Sequence, residues 1–254
     1  MNRVPTAVGV IVALAVAAAC LRLGFWQISR LHEKQALNAR LRTALAATPA
    51  DLAAADRAFA RDPENLRLGR WAARGRFDET HQFLLMGHAR NGDPGVEVVT
   101  PLVPDEATSG GPGGQGALAV LVDRGWIPSI DAATAKPEQY PAPGVQRVVG
   151  LAEPLPRRAG RPPGAYTRVE IDSLAVWSVT GLDADSVAAH LPYPVRPYML
   201  RALPDSARGD SLPAAPPARF YDEAMHRSYA GQWFSFAAIT LVGMVVLARK
   251  RGAA

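Results

Sequence analysis

The sequence predicts a membrane protein of α+β class. Two transmembrane helices flank a mainly antiparallel β domain, a small barrel or sheet with one or two short helices. Three observations carry this. Val4–Leu21 and Tyr229–Ala248 are apolar runs with no charged residue, and the shorter has 18 residues, enough to span a bilayer. No Asp or Glu occurs before Glu33 or after Glu223. Between these ends lie short β-type runs divided by Pro- and Gly-rich connections.

The first span is expected over residues 4–26. Arg22 can snorkel from its end, and Trp26 suits the interface. Ala17-Ala18-Ala19-Cys20 faintly resembles a lipoprotein cleavage site, but the apolar run continues past it, which favours a retained anchor. Residues 27–228 form the middle domain, with a helical start over 28–60. Ile28 to Ala47 is rich in good helix formers, Pro49 interrupts it, and Asp51 can cap a second helix through Ala60.

The part from 65 to 203 reads as mainly β. Its strand-like runs are Leu68–Phe77, Gln82–Arg90, Val96–Val103, Ala117–Ile127, Val145–Ala152, Ala175–Thr180 and Val195–Leu203. Leu182–His190 reads as a short helix capped by Asp183. Pro104–Gly116, Pro154–Gly164 and Pro204–Pro217 read as loops. The second span is expected over 229–248. Arg249-Lys250-Arg251 then puts both termini in the cytoplasm and the middle domain outside.

Composition removes several function classes. One cysteine, Cys20, allows no disulfide framework or multi-cysteine metal site. The net charge is +5, but seven of the 28 basic residues lie in the acid-free ends. The interior thus holds 21 basic against 23 acidic residues, which is no nucleic-acid-binding surface. Gly110–Gly116 lacks the Lys-Ser/Thr of a phosphate loop. There is no nucleophile elbow and no His-Glu-x-x-His, so the chain does not read as an enzyme. Met86 and His88, two apart on a strand, face one side and can hold Cu(I), although ordinary packing explains them better. His32, His81 and His190 lack a partner pattern.

Three groups of residues remain as site candidates. His226 stands before the second span, with Tyr229, Trp233 and Thr240 on its helix face. Its imidazole can ligate haem iron, and the aromatics can pack on a porphyrin. By spacing alone they serve better as interfacial anchors. Arg22, Trp26 and Arg30 form a face of the first helix, suited to lipid phosphates, a partner's carboxylates or haem propionates. Arg124 and Trp126 alternate onto one side of a strand, where a cation–π or core contact is the simplest account.

At these residues the chain resembles the Surfeit locus protein 1 family, the assembly factors of haem–copper cytochrome oxidase. Leu23-Gly-Phe-Trp-Gln27-Ile-Ser-Arg30 with Lys34 is similar to the family's signature after its first span. Gly87-His-Ala-Arg90 through Gly95 to Thr100-Pro101-Leu102 resembles its G-x-x-R … G-x-x-V-x-T-P-L stretch. Leu121-Val-Asp-Arg124-Gly125-Trp126-Ile-Pro128 resembles L-V-N-R-G-W-V-P, with Asp123 in place of Asn. His226-Arg-Ser-Tyr229-Ala-Gly-Gln-Trp233-Phe234 resembles H-x-x-Y-A-x-Q-W-F. Asp172 with Leu174-Ala175 is a weaker match.

The resemblance implies a two-span protein of the inner (plasma) membrane that is not an enzyme. It implies a cytochrome c oxidase assembly factor that holds haem a, with His226 as the iron ligand, and helps its insertion into subunit I. Tyr229, Trp233, Arg30 and Trp26 would line that haem site. Gln27, Arg90, Arg124, Gly125 and Trp126 would be partner-facing or structural motif residues. Subunit I, the haem a synthesis machinery and the lipid bilayer are the implied partners. The alternatives are a haem-free membrane chaperone for an oxidase subunit, or an unrelated membrane-anchored sensor or enzyme.

Overall fold

The computed structural model describes residues 6–104, 118–157, 166–171, 174–205 and 211–252. The chain divides into two compact units, Met1–Arg42 with Arg219–Ala254, and Thr43–Ala218.

The first unit holds α1 (Thr6–Ala46) as far as Arg42 and the chain's last helix (Glu223–Gly252), both helices long and apolar enough to cross a membrane. The helix expected from Ile28 to Ala47 is one with the first span: residues 28–46 continue α1. Nothing between Phe25 and Ala46 stops a helix, since Pro49 is the first breaker after Pro5. At 41 residues α1 is about 60 Å long, twice the hydrocarbon thickness.

The second unit is the β domain. In chain order it holds β1 (Ala50–Asp51), α2 (Leu52–Arg61), α3 (Pro63–Leu66), β2 (Arg70–Phe77), β3 (Phe83–Arg90), β4 (Asp93–Pro104), β5 (Ala119–Pro128), β6 (Val145–Pro154), β7 (Tyr166–Ile171), β8 (Leu174–Val179), α4 (Ala184–His190) and β9 (Val195–Ala202). Asp51 and Asp183 cap α2 and α4 as expected, accepting from the N–H groups of Ala54 and Ser186.

The order β2-β6-β9-β5-β4 closes into a barrel because β2 also pairs with β4, from Gly75↔Pro104 to Phe77↔Leu102. β4 is long enough to change partners. Its first part pairs with β3 and its last part with β2. β3, β8 and β7 extend the sheet as a wing. The sheet is mainly antiparallel, with parallel pairs at β1–β2, β3–β8 and β5–β9.

The barrel strands share an apolar core of Trp71, Leu102, Val120, Val122, Val148, Tyr198 and Leu200, joined by Ala55 of α2 and Leu66 of α3. Tyr198 reaches out of this core to donate to Asp56 at 2.5 Å. A second core packs α4 on Phe83, Val99, Leu121 and Met199, and a third lies under the wing.

The loop readings over 105–116 and 158–164, with Asp172 and the middle of 204–217, lie outside the described residues. The sequence reading missed β7, a six-residue strand whose polar Thr167, Arg168 and Glu170 carry little hydrophobic signal. Met86 and His88 do not share a side. A register shift falls between Leu85 and His88, and Gly87 takes a φ of +83°. Met86 packs on the wing core, while His88 pairs with Glu97 at 3.2 Å.

Candidate functional site

In the helix unit, positions 10, 13, 17, 20, 24, 27, 31, 34, 38 and 41 of α1 are shielded, with 28 and 37 beside them. This alternation of three and four is a coiled-coil seam. The final helix, α5 (Glu223–Gly252), shows the same repeat at 223, 226, 230, 233, 237, 240 and 244. The pairings run in opposite directions along the two helices, as in an antiparallel hairpin. Lys34 lies over the Tyr221 ring at 4.0 Å, Gln27 meets His226, and Phe25 meets Phe234 edge-on at 5.3 Å. Gly24 makes room for this, since a Cβ there would stand 2.6 Å from the Phe234 ring.

One end of the seam is polar. The buried Asn38 donates to Glu223 at 2.7 Å and to the Tyr221 carbonyl at 3.0 Å, and accepts from the Tyr221 N–H at 2.8 Å. Such a satisfied buried amide fixes register.

His226 sits on this seam, half-buried, with Nδ1 donating to Gln27 Oε1 at 2.7 Å. The carbonyl oxygen can only accept, so Nδ1 carries a proton, and in the neutral ring the lone pair is then on Nε2. Trp233 and Thr240 share the seam with His226, and Trp233 meets Phe236 edge-on at 6.0 Å. Tyr229 does not share it: it lies on the flank, 46% exposed. On α1, Trp26 is 52% exposed and Arg30 stacks over it at 5.9 Å, as their spacing requires. Arg30 also donates to Glu33 at 2.7 Å.

The second motif cluster lies in the β domain. The expected alternation of Arg124 and Trp126 is broken, because Val98 pairs with Gly125 and Val99 with Asp123, leaving Arg124 as the extra residue of a bulge. Gly125 takes a φ of +123°, and a Cβ there would lie 2.4 Å from the Ala214 backbone. The two side chains have separate neighbours. Arg124 is buried, donating to Glu79 at 3.2 Å and to the Tyr140 carbonyl, with its guanidinium 5.0 Å from the Phe77 ring centre. Trp126 exchanges two backbone hydrogen bonds with Ala214, at 3.1 and 2.8 Å, and its indole covers Gly95. Arg90 also donates to the Ala214 carbonyl, at 3.1 Å. Arg90, Gly125 and Trp126 thus converge on one backbone unit.

Asp123, before the bulge, is fully buried beside Glu97, which is 4% exposed, and Arg201. Burial, reinforced by the Glu97 charge, pushes its carboxyl up to about 7 despite Arg201 and the Gly125 N–H. Elsewhere His81 binds Asp78 at 2.7 Å, and His190 stacks on Tyr166 and meets Trp177 edge-on. Asp78 is held below the usual range: burial alone would raise it, but the hydrogen bonds from Thr80, Tyr193 and His81 outweigh that.

The model of the SURF1 family matches residues 14–238, from inside α1 to inside α5. The chain belongs to the SURF1 family. A SURF1-like protein of Monosiga brevicollis is 27% identical over 253 residues, covering 94% of this chain and 87% of the relative. The match to the SURF1 model therefore includes both motif clusters, the helix seam and the β bulge.

For a haem, the chemistry of the seam fits. A neutral imidazole with Nε2 unprotonated is the form that ligates iron, and a hydrogen bond at Nδ1 is the usual support for such a ligand. Trp26 and Tyr229 offer exposed aromatic surface. Arg30 would have to exchange Glu33 for a propionate. Gln27 was legible only as a motif residue. Its pairing with His226 was nevertheless signalled by the heptad Ala17, Cys20, Gly24, Gln27, Leu31, Lys34, Asn38 and Leu41. No local signal marked Glu79, 45 residues from Arg124.

Proposed function

We propose that this SURF1-family chain is a cytochrome c oxidase assembly factor that holds haem a and helps deliver it to subunit I. The single observation that carries the haem reading is the 2.7 Å hydrogen bond from His226 Nδ1 to Gln27, which holds the imidazole in the tautomer able to ligate iron. The haem would supply the iron and the redox-active ring. The chain would supply His226 as an axial ligand, Gln27 to orient it, Trp26, Tyr229 and Trp233 as packing surface, and Arg30 for a propionate. One exposed-edge ligand suits a carrier, which must release what it holds. The same reading makes the chain a two-span protein of the inner membrane with both termini cytoplasmic and residues 27–228 outside. The haem a synthesis machinery would then be the donor and subunit I the acceptor.

The test compares cells with and without the chain. Subunit I isolated without it should carry less haem a per polypeptide, although the polypeptide is made. Loss of subunit I with full haem content in what remains would instead favour the haem-free chaperone. Reporter fusions check topology: one after Ala254 should be active only in the cytoplasm, and one within 105–117 only outside.

A further inference from the structure

The β domain contains a cavity of about 540 Å³. Phe77, Val122, Val148 and Leu203 form apolar parts of its wall, and Arg70, Arg90, Arg124 and Arg147 reach it from four different strands. Asp205 is the single carboxylate among the described lining residues.

Arg124 is neutralised by Glu79, and what distinguishes the other three is how they are held. Arg67, Arg196 and Arg201 elsewhere in the domain meet carboxylates. Arg70 instead donates to the backbone carbonyls of Leu45 and Ala47, and Arg90 to that of Ala214. Arg147 is exposed, and directly opposite Arg74 across the β2–β6 pair. Among the described residues none of Arg70, Arg90 and Arg147 has an ion-pair partner. A carbonyl fixes a guanidinium without cancelling its charge, and at most two of the five N–H donors of Arg70 and one of those of Arg90 are spent on these carbonyls. Arg70 Nε is a buried donor with no hydrogen-bond partner among the described residues. Unneutralised like charges raise the energy of the empty arrangement, and an anion lowers it.

We propose that this cavity binds a small organic phosphate, its phosphate group on Arg70, Arg90 and Arg147 and its carbon body against Phe77, Val148 and Leu203. Guanidiniums arriving from three strands suit a tetrahedral group with several oxygens better than one planar carboxylate. The volume is that of a small-molecule pocket and exceeds what bare phosphate fills. The group can belong to a soluble phosphomonoester or to a phospholipid headgroup.

The test is calorimetric titration of the detergent-purified full chain at physiological salt, with glycerol 3-phosphate in one arm and monomeric short-chain phosphatidic acid in the other. Saturable binding in either arm is expected. Binding of both alike identifies a soluble phosphate, and binding of the lipid alone identifies a headgroup. Arg90→Gln with Arg147→Gln should weaken it at least tenfold. The control pair Arg61→Gln with Arg168→Gln, exposed and outside the cavity, should leave it within twofold. If the Arg90 variant melts lower than wild type, the exposed Arg147→Gln alone decides, with several-fold weakening expected. No binding of either probe below about 1 mM, or equal binding by cavity and control variants, would overturn the proposal.

Discussion

Around Gly125 the chain is fixed by backbone on backbone: a bulge, a φ of +123° and an Ala214 carbonyl that meets both the Trp126 N–H and Arg90. Around His226 the helices are fixed by their seam, and the imidazole is turned by the single hydrogen bond that its Nδ1 donates to Gln27. Two motifs of similar sequence density thus differ in tolerance. The bulge admits almost no substitution, because shape is its function in the fold. The seam histidine can be exchanged while the helices stay paired through Ala17, Gly24, Leu31, Asn38 and Leu41.

The largest effect belongs to the bulge. Gly125→Ala places a Cβ against Ala214 and forces a conformation that side chains avoid, costing about 3 kcal/mol or more. The steady-state protein level should collapse, and near-normal levels would break the contrast. Trp126→Ala and Arg124→Ala should each cost about 2–3 kcal/mol. The first uncovers Gly95, and the second strips Glu79, the Tyr140 carbonyl and Phe77 of a buried partner. Denaturant midpoints check both.

A third prediction uses Asp123. Its folded-state carboxyl titrates at about 7 against 3.8 in the unfolded chain. A raised carboxyl means that the native state binds the proton more tightly, so the contribution of Asp123 to stability is full below about pH 4 and is lost as pH rises through 7. Asp123→Asn removes this penalty and keeps an oxygen for the Gly125 N–H. The variant should match wild type near pH 4 and exceed it by about 1–3 kcal/mol at pH 8. A pH-independent difference would show that the Arg201 pairing governs instead.

The smallest stability effect is expected at Arg30. Its pairing with Glu33 and its stacking on Trp26 are exposed, so Arg30→Ala should change stability by under about 1 kcal/mol. A larger loss would make Arg30 a structural residue of the hairpin.

The contrast also explains what was legible in the sequence. Apolar runs, caps and β-type segments are local signals, and Asp51, Asp183 and most strands fall where they indicate. The β2–β4 closure and the Arg124–Glu79 pair join distant residues and leave no local trace. Strand alternation misled at Met86/His88 and at Arg124/Trp126 for one reason: each pair straddles a glycine that shifts the register. The helix periodicity placed His226 and Trp233 together correctly, but put Tyr229 on their face when it lies on the flank. A face drawn at offset 3 is wider than the seam that buries it.

The central claim is that Gln27 holds His226 as a ligand. The direct measurement is haem per protein, with the visible spectrum, for the full chain purified in detergent from cells that make haem a. Wild type should carry pigment, His226→Ala should lose most of it while staying in the membrane, and His226→Met should keep some with shifted bands. Gln27→Leu should lower haem affinity about tenfold or more without shifting the bands, as removal of an orienting partner does. Equal haem and identical spectra in all four would contradict the account and leave His226 as a seam residue only.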